Sequence, residues 1–315
     1  MAMSDIQPRW RCQVDPQPHQ QFAFSIGGRE VTRWHWGEDA PRPYFFPMLG
    51  PSGISLTRMG HPGAPNHDHH LSVWFAHHDV LGISFWSNAS PARIRQTQWY
   101  AIQDGDDAAT AAWQLAWLDG HDPAPLLHQE VVTTLCPLAD GQGWTLELQS
   151  AFQTSAEGVA FRQSNFGILG VRVAKSISRV FGGGTITGAD GSSGESELFG
   201  RPNRWIDYSG VIGMREGENV VEGICVIDHR ENPGHGEHAY AAWHVRDDGW
   251  IGPSLSRHAD IELLPDQPLV CRYLLVVHAG PCPPDLMHGL ADAFDQRPGK
   301  TVVAARRAHH QWEIR

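Results

Sequence analysis

"LHQEVVTTLCPLADGQGWTLELQSAFQT", residues 127–154, decides the fold class. Two runs rich in Val, Thr and Leu flank the turn-prone "ADGQG". In the second run Leu146 and Leu148 alternate with Glu147 and Gln149. A period of two sends successive side chains to opposite faces of a β-strand. Two such runs joined by a Gly-containing turn read as an antiparallel hairpin.

The same reading extends outward. "QFAFSIGGREVTRWHW" (21–36) repeats the pattern about Gly27 and Gly28, a pair suited to a tight hairpin turn. "EGICVIDH" (222–229) and "PLVCRYLLVVHAG" (268–280) are almost continuously apolar, as in strands buried on both faces. Only "PPDLMHGLADAFDQ" (283–296) reads as a helix. Leu286, Leu290 and Phe294 recur at four-residue intervals, Asp285 stands where a cap is wanted, and "RPG" ends the run. "FGGGTITGADGSSGES" (181–196) reads as a flexible loop, and no repeat of fixed period is present. The expectation is all-β: one large antiparallel β-sandwich spanning 1–315 as a single domain, with one short C-terminal helix and residues 1–20 as a loosely ordered lead-in. Long loops would then gather at the sandwich edges or over one concave face.

Composition narrows the partners. The net charge is −11 and no basic stripe is present, which argues against nucleic acid. No run approaches the ~18 apolar residues of a membrane span, and the first residues hold no apolar signal segment. Five scattered cysteines (Cys12, Cys136, Cys225, Cys271 and Cys282), without CxxC spacing, read as reduced thiols of a cytoplasmic protein. Nineteen His and 13 Trp against 24 Lys plus Arg favour neutral polar and aromatic recognition.

"NHDHHLSVWFAHHDVLGISFW" (66–86) places five histidines in twelve positions beside Trp74, Phe75, Phe85 and Trp86. Buried imidazole needs hydrogen-bond partners. If this segment is a strand, His67 and His69 share a face and offer an H-x-H pair to a divalent metal (Zn, Fe or Mn), with Asp228, His229 or Glu147 as third ligand. His229 is the tentative choice. The alternatives are a metal-free polar site and histidines that only satisfy the backbone. Two further clusters follow: "RPNRWIDYSGVIG" (201–213), with Trp205 and Asp207, and "VIDHRENPGHGEHAYAAWHVRDDGW" (226–250), with Asp228, Asn232, Trp243 and His244. Arg172 and Arg272 are cations inside apolar strands, and each needs an acceptor from the protein or a ligand.

These stretches resemble the PmoA-like family of bacterial proteins. Its segment of the type "DHPHHRGLWWAHGDVNGVDFW" is matched at 66–86, its "W-x-D-Y-S-G" by "RWIDYSG", and its "GIAIFDHPxNPRHPTPWHVR" by residues 223–249. "RPYFFPMLGPSGISLTR" (42–58) resembles a further motif. The chain departs from the pattern at Asn66, Asp68 and Leu71, where the family has Asp, Pro and Arg. The family's label of methane oxygenase fits poorly with a chain that has no apolar span. Its likeness to galactose-mutarotase-type β-sandwiches, and its association with sugar oxidoreductases, imply carbohydrate chemistry.

The leading expectation is an enzyme that moves a proton by imidazole on a sugar or oxidised sugar, as an epimerase, mutarotase or lyase does. His70, His77 and His244 are the acid/base candidates. Arg172 would hold a carbonyl or oxyanion. Trp74, Trp86, Trp205 and Trp243 would stack on sugar faces, and Asp207, Asp228 and Asn232 would hold hydroxyls. The alternatives are a metal-dependent oxygenase or hydrolase and a non-catalytic sugar-binding protein. The density of groups titrating near neutrality argues against the last.

Overall fold

The alternating runs become strands of two large antiparallel sheets. A computed structural model describes residues 11–61, 64, 67–154, 156–265 and 267–315. Strands β1 (Cys12–Gln17), β2 (Gln21–Ile26), β3 (Arg29–His35), β4 (Tyr44–Met48) and β5 (Val73–His77) are successive neighbours. Strands β6 (Arg93–Gln103), β7 (Ala109–Leu118), β8 (Leu127–Pro137) and β9 (Gly143–Gln153) form a meander. Short β10 (Ala160–Phe161) precedes β11 (Gly167–Arg172), which returns to pair with β5. The chain continues through α1 (Arg179–Gly182), β12 (Thr185–Gly188) and α2 (Glu195–Leu198) to the long hairpin of β13 (Trp205–Arg215) and β14 (Glu218–Asp228). Then come β15 (Trp243–Arg246), β16 (Trp250–Pro253), β17 (Ile261–Glu262), β18 (Leu269–Ala279), α3 (Pro284–Gln296), β19 (Val302–Ala304) and β20 (Trp312–Ile314).

The first sheet has the order β1-β2-β3-β4-β5-β11-β16-β15, the second β12-β13-β14-β18-β9-β8-β7-β6. Their inner faces meet in one apolar cluster drawn from both. Trp34 of β3 lies 4.7 Å from Trp113 of β7, ring centre to ring centre. The Trp34 indole N–H, which must be satisfied when buried, donates to Gln96 Oε1 of β6 at 2.8 Å. Removing such a ring costs about 3–5 kcal/mol.

The outer face of the second sheet is covered as well. Trp205, Cys225, Ile227, Leu274 and Val276 pack against Met287, Ala291 and Phe294 of α3. That explains why 222–229 and 268–280 are apolar on both sides. The helix is where the pattern put it, but it buries Met287, Ala291 and Phe294, with Leu286 and Leu290 only flanking. Pro283 occupies the cap position and Asp285 lies inside the first turn, where its charge suits the helix dipole.

Three local expectations need correction. Residues 12–17 are not a loose lead-in but the edge strand β1, its Cys12 wholly buried; residues 1–10 lie outside the described part. The stretch 181–196 is not one flexible loop, because Thr185–Gly188 pairs with β13 and Glu195 starts α2. Residues 67–70 are a turn, closed by the His70 N–H on the His67 carbonyl at 3.2 Å, so strand alternation does not govern His67 and His69. Among the described residues no helix is long and apolar enough to cross a membrane.

Candidate active-site cleft

The outer face of the first sheet carries a cleft of about 510 Å³. Alternation decides which side chains line it. In β15 Trp243 and Val245 point into the sandwich core, so His244 and Arg246 point out. The turn Asp247–Gly249 folds the chain back, and Trp250 of β16 pairs with Arg246 on one side and Arg172 of β11 on the other. On β5, Trp74 pairs with Gly170 of β11. A Cβ on Gly170 would lie 2.8 Å from the Trp74 ring, so the indole lies over the glycine.

His67, His69 and His70 enter from the turn before β5, Trp86 from the loop after it, and Phe166 from the approach to β11. Arg42 fixes two of these segments. Its guanidinium, 1% exposed, donates to the carbonyls of Phe85, His69 and Trp86 and to Asn88 Oδ1 at 2.8–3.0 Å. The walls are aromatic: Trp86 lies 5.2 Å from Trp74, 5.9 Å from Trp250 and 5.7 Å from Phe166.

His244 Nδ1 sits 3.3 Å from the Asn165 carbonyl, which can only accept. Nδ1 therefore carries the proton, and Nε2 keeps its lone pair. Burial pushes His244 down to about 4, opposed by that bond and helped by Arg246 and Arg257, so it is a neutral base at pH 7. His70 stacks on Trp74 at 5.5 Å; burial, then His69 and Arg172, holds it far below the ordinary imidazole value. Its Nδ1 is buried without a hydrogen-bond partner among the described residues.

Arg172, 0% exposed, forms the floor. Its Nη1 donates to Asp248 Oδ1 at 2.9 Å, while its Nε and Nη2 have no partner among the described residues. Asp248 also meets His61 Nε2 at 3.0 Å. Burial raises the Asp248 carboxyl, but the Arg172 hydrogen bond and charge, with His61, hold it below its ordinary value.

Of the residues singled out in the sequence, His67, His69, His70, Trp86, Arg172 and His244 line the cleft, with Trp74 beneath them. Others do different work. His77 is wholly buried: its Nδ1 accepts from the Asp79 N–H at 3.1 Å and its Nε2 meets Ser256 Oγ at 2.8 Å. The Ser256 hydroxyl itself donates to the Arg162 carbonyl, so the His77 ring serves as both donor and acceptor within the protein, and it is not among the residues that line the cleft. Trp205 packs under α3, and Trp243 lies in the core with its N–H on the Asn203 carbonyl at 2.7 Å. Asp207 pairs with His278 in the second sheet at 2.7 Å. Asp228 accepts from Asn232 Nδ2 and the Ala241 N–H and meets His235, while Asn232 also closes on the backbone of Arg272. Asp228 and Asn232 thus shape the 229–242 loop.

The proposed metal set does not assemble. His67 and His69 stand at the cleft, 5.8 Å apart by ring centre, whereas His229 packs on Phe294 and meets Arg272 Nη1 at 3.1 Å. Glu147, the other carboxylate considered, is committed to Arg272 and Arg297. Among the described residues no group of three His, Cys, Asp or Glu is arranged to hold a metal ion. Trp250, Asp248 and Phe166 were missed. Reading "WHVRDDGWIG" as a hairpin would have found Trp250 opposite Arg246.

No curated protein matches the sequence. Among solved structures the chain is similar to that of YeaD from Salmonella typhimurium, which carries a provisional mutarotase assignment. The identity is 12%, covering 85% of this chain and 90% of that one, with a TM-score of 0.33. A sequence profile matches residues 21–292, and on that match the chain belongs to the family of unknown function DUF6807.

Proposed function

We propose that the cleft is the active site of a carbohydrate-active enzyme that moves a proton on a sugar or oxidised sugar. One observation carries the reading. A wholly buried guanidinium, Arg172, lies at the floor of an aromatic-walled cleft with two nitrogens unbonded among the described residues, and the same cleft is lined by His244, whose hydrogen bond leaves Nε2 basic. A buried cation with unmet donors is costly unless a ligand supplies the acceptor. Trp86, Trp250 and Phe166 offer apolar faces of the kind that sugar rings stack on. The size suits a small molecule, since ligand clefts run about 300–1,000 Å³.

In this reading His244 Nε2 takes the proton. Arg172 faces the substrate oxygen that gains negative charge, held in place by Asp248. His70, neutral and stacked on Trp74, packs against the substrate and positions it. His77 has no role in the chemistry. The test is a thermal-stabilisation screen against neutral and oxidised sugars, followed by turnover assays of the hits. Binding of a sugar by the wild-type protein, with turnover lost in His244→Gln and retained in His77→Gln, is the expected result. No stabilisation by any sugar would end the carbohydrate reading.

A further inference from the structure

We propose that the substrate is a sugar acid, and that the Nε and Nη2 edge of Arg172 anchors its carboxylate; this rests on the carbohydrate reading of the same cleft.

Two of the three Arg172 nitrogens have no partner among the described residues. Asp248 takes Nη1. The two left over, Nε and Nη2, are adjacent, and their N–H bonds run parallel along one edge of the planar guanidinium. That edge is the fork that matches the two oxygens of a carboxylate. The same fold shows such an edge filled. Arg272, also a cation in an apolar strand, directs its Nε and Nη2 to Glu147 Oε1 at 3.2 and 2.6 Å. Its Nη1 is taken by the Arg297 carbonyl at 2.6 Å. Glu147 thus fills the Nε and Nη2 edge of Arg272, whereas on Arg172 the chain's own carboxylate, Asp248, takes Nη1 and leaves that edge.

Arg172 and Arg246 both line this cleft; Arg246 meets Glu195 at 3.3 Å, and Asp248 is divided between Arg172 and His61. Burial first, and then the charge of Arg172 or Arg246, depresses His67, His70 and His244, so an entering anion meets neutral imidazoles there. Nε and Nη2 are covered from solvent. In this proposal a carboxylate reaches them by parting the side chains on the cleft floor, and it pairs the two donors that Asp248 leaves.

The anchor also fixes the chemistry. The hydrogen on the carbon next to a carboxylate is the acidic one once Arg172 offsets the charge. His244 Nε2 takes that proton, and the C–H electron pair moves into the carboxylate as an enediolate. Water then protonates the carbon from the opposite face and inverts it, and the proton on His244 neutralises the hydroxide left behind. Alternatively, the C–O bond at the next carbon breaks, its electron pair leaves on oxygen, and the proton on His244 neutralises that oxygen, which leaves an unsaturated sugar acid. Neither route needs an oxidant or reductant.

Calorimetric titration with glucuronate, galacturonate and gluconate, against glucose, galactose and the corresponding uronamides, tests the anchor. The wild-type protein should bind at least one acid about 10–100-fold more tightly than its amide, as expected for a charge-assisted bidentate contact. Arg172→Lys, which keeps the charge and loses the fork, should abolish most of that preference. The ligand comparison in wild-type protein stands even if the variant does not fold. Equal affinity for acids, amides and neutral sugars would overturn the sugar-acid inference and leave the carbohydrate reading standing. An acid preference that survives in folded Arg172→Lys would overturn Arg172 as the anchor. Failure of acids, amides and neutral sugars alike to bind would remove both.

Discussion

His77 spends both ring nitrogens inside the protein, on the Asp79 N–H and Ser256 Oγ, whereas His244 spends one and keeps Nε2. The two substitutions therefore separate stability from chemistry. His77→Gln should cost about 1–3 kcal/mol in chemical denaturation, the usual penalty for stranding buried partners, and leave turnover per folded molecule unchanged. His244→Gln should fold and lose turnover by ~10²–10⁴-fold, the range for a general base. The pH profile follows from the same ring. Burial pushes His244 down to about 4, so the base is free across neutral pH, and the rate should fall only as the pH drops toward that value. A profile breaking near 6.5 would point to an exposed histidine instead. Arg172 and Arg272 show why residues alone do not separate structure from function. Both read as cations in apolar strands, and only the geometry shows that Glu147 satisfies one and that two nitrogens of the other are left over.

At the level of strands and helices, the hairpins at 21–36 and 127–154 and the double-sided burial of 222–229 and 268–280 were legible, because alternation and apolar runs are local signals. The cleft was half legible. The histidine stretch and "WHVR" were visible, but not that 67–70 is a turn, nor that Asp228, Asn232 and Asp207 close loops and pairs elsewhere. Those outcomes depend on partners far along the chain, which spacing does not encode. Two substitutions test the elements. Gly170→Ala puts a methyl group 2.8 Å from the Trp74 ring, which is wholly buried and cannot swing away cheaply. It should cost about 1–3 kcal/mol and weaken ligand binding, because Trp74 supports His70. Phe294→Ala, on the far side of the second sheet, removes the ring that Arg272 covers at 5.0 Å. It should cost about 3–5 kcal/mol and leave ligand affinity unchanged once the protein is folded. Denaturant melts with and without ligand distinguish the two.

For the whole molecule, buried neutral histidines set the acid limit. His77 and His244 both sit near 4 when folded, against 6.5 for an ordinary imidazole, each displaced mainly by burial. The unfolded chain therefore binds protons first as the pH falls. Their contribution is complete above 6.5 and is lost between 6.5 and about 4, at most about 3 kcal/mol for each ring. Melting temperature should fall over that window, and the fall should be shallower in His77→Gln, whose starting stability is lower; identical slopes would remove His77 from the account. The most direct test of the central claim is proton NMR in D₂O of neutral and acidic sugars incubated with the wild-type protein and with His244→Gln. Anomer exchange, epimerisation, elimination and deuterium uptake next to a carbonyl each alter such spectra. The account predicts that at least one sugar is converted by the wild-type protein and that folded His244→Gln converts it ~10²–10⁴-fold more slowly. Spectra unchanged for every sugar, or equal rates for the two proteins, would contradict it.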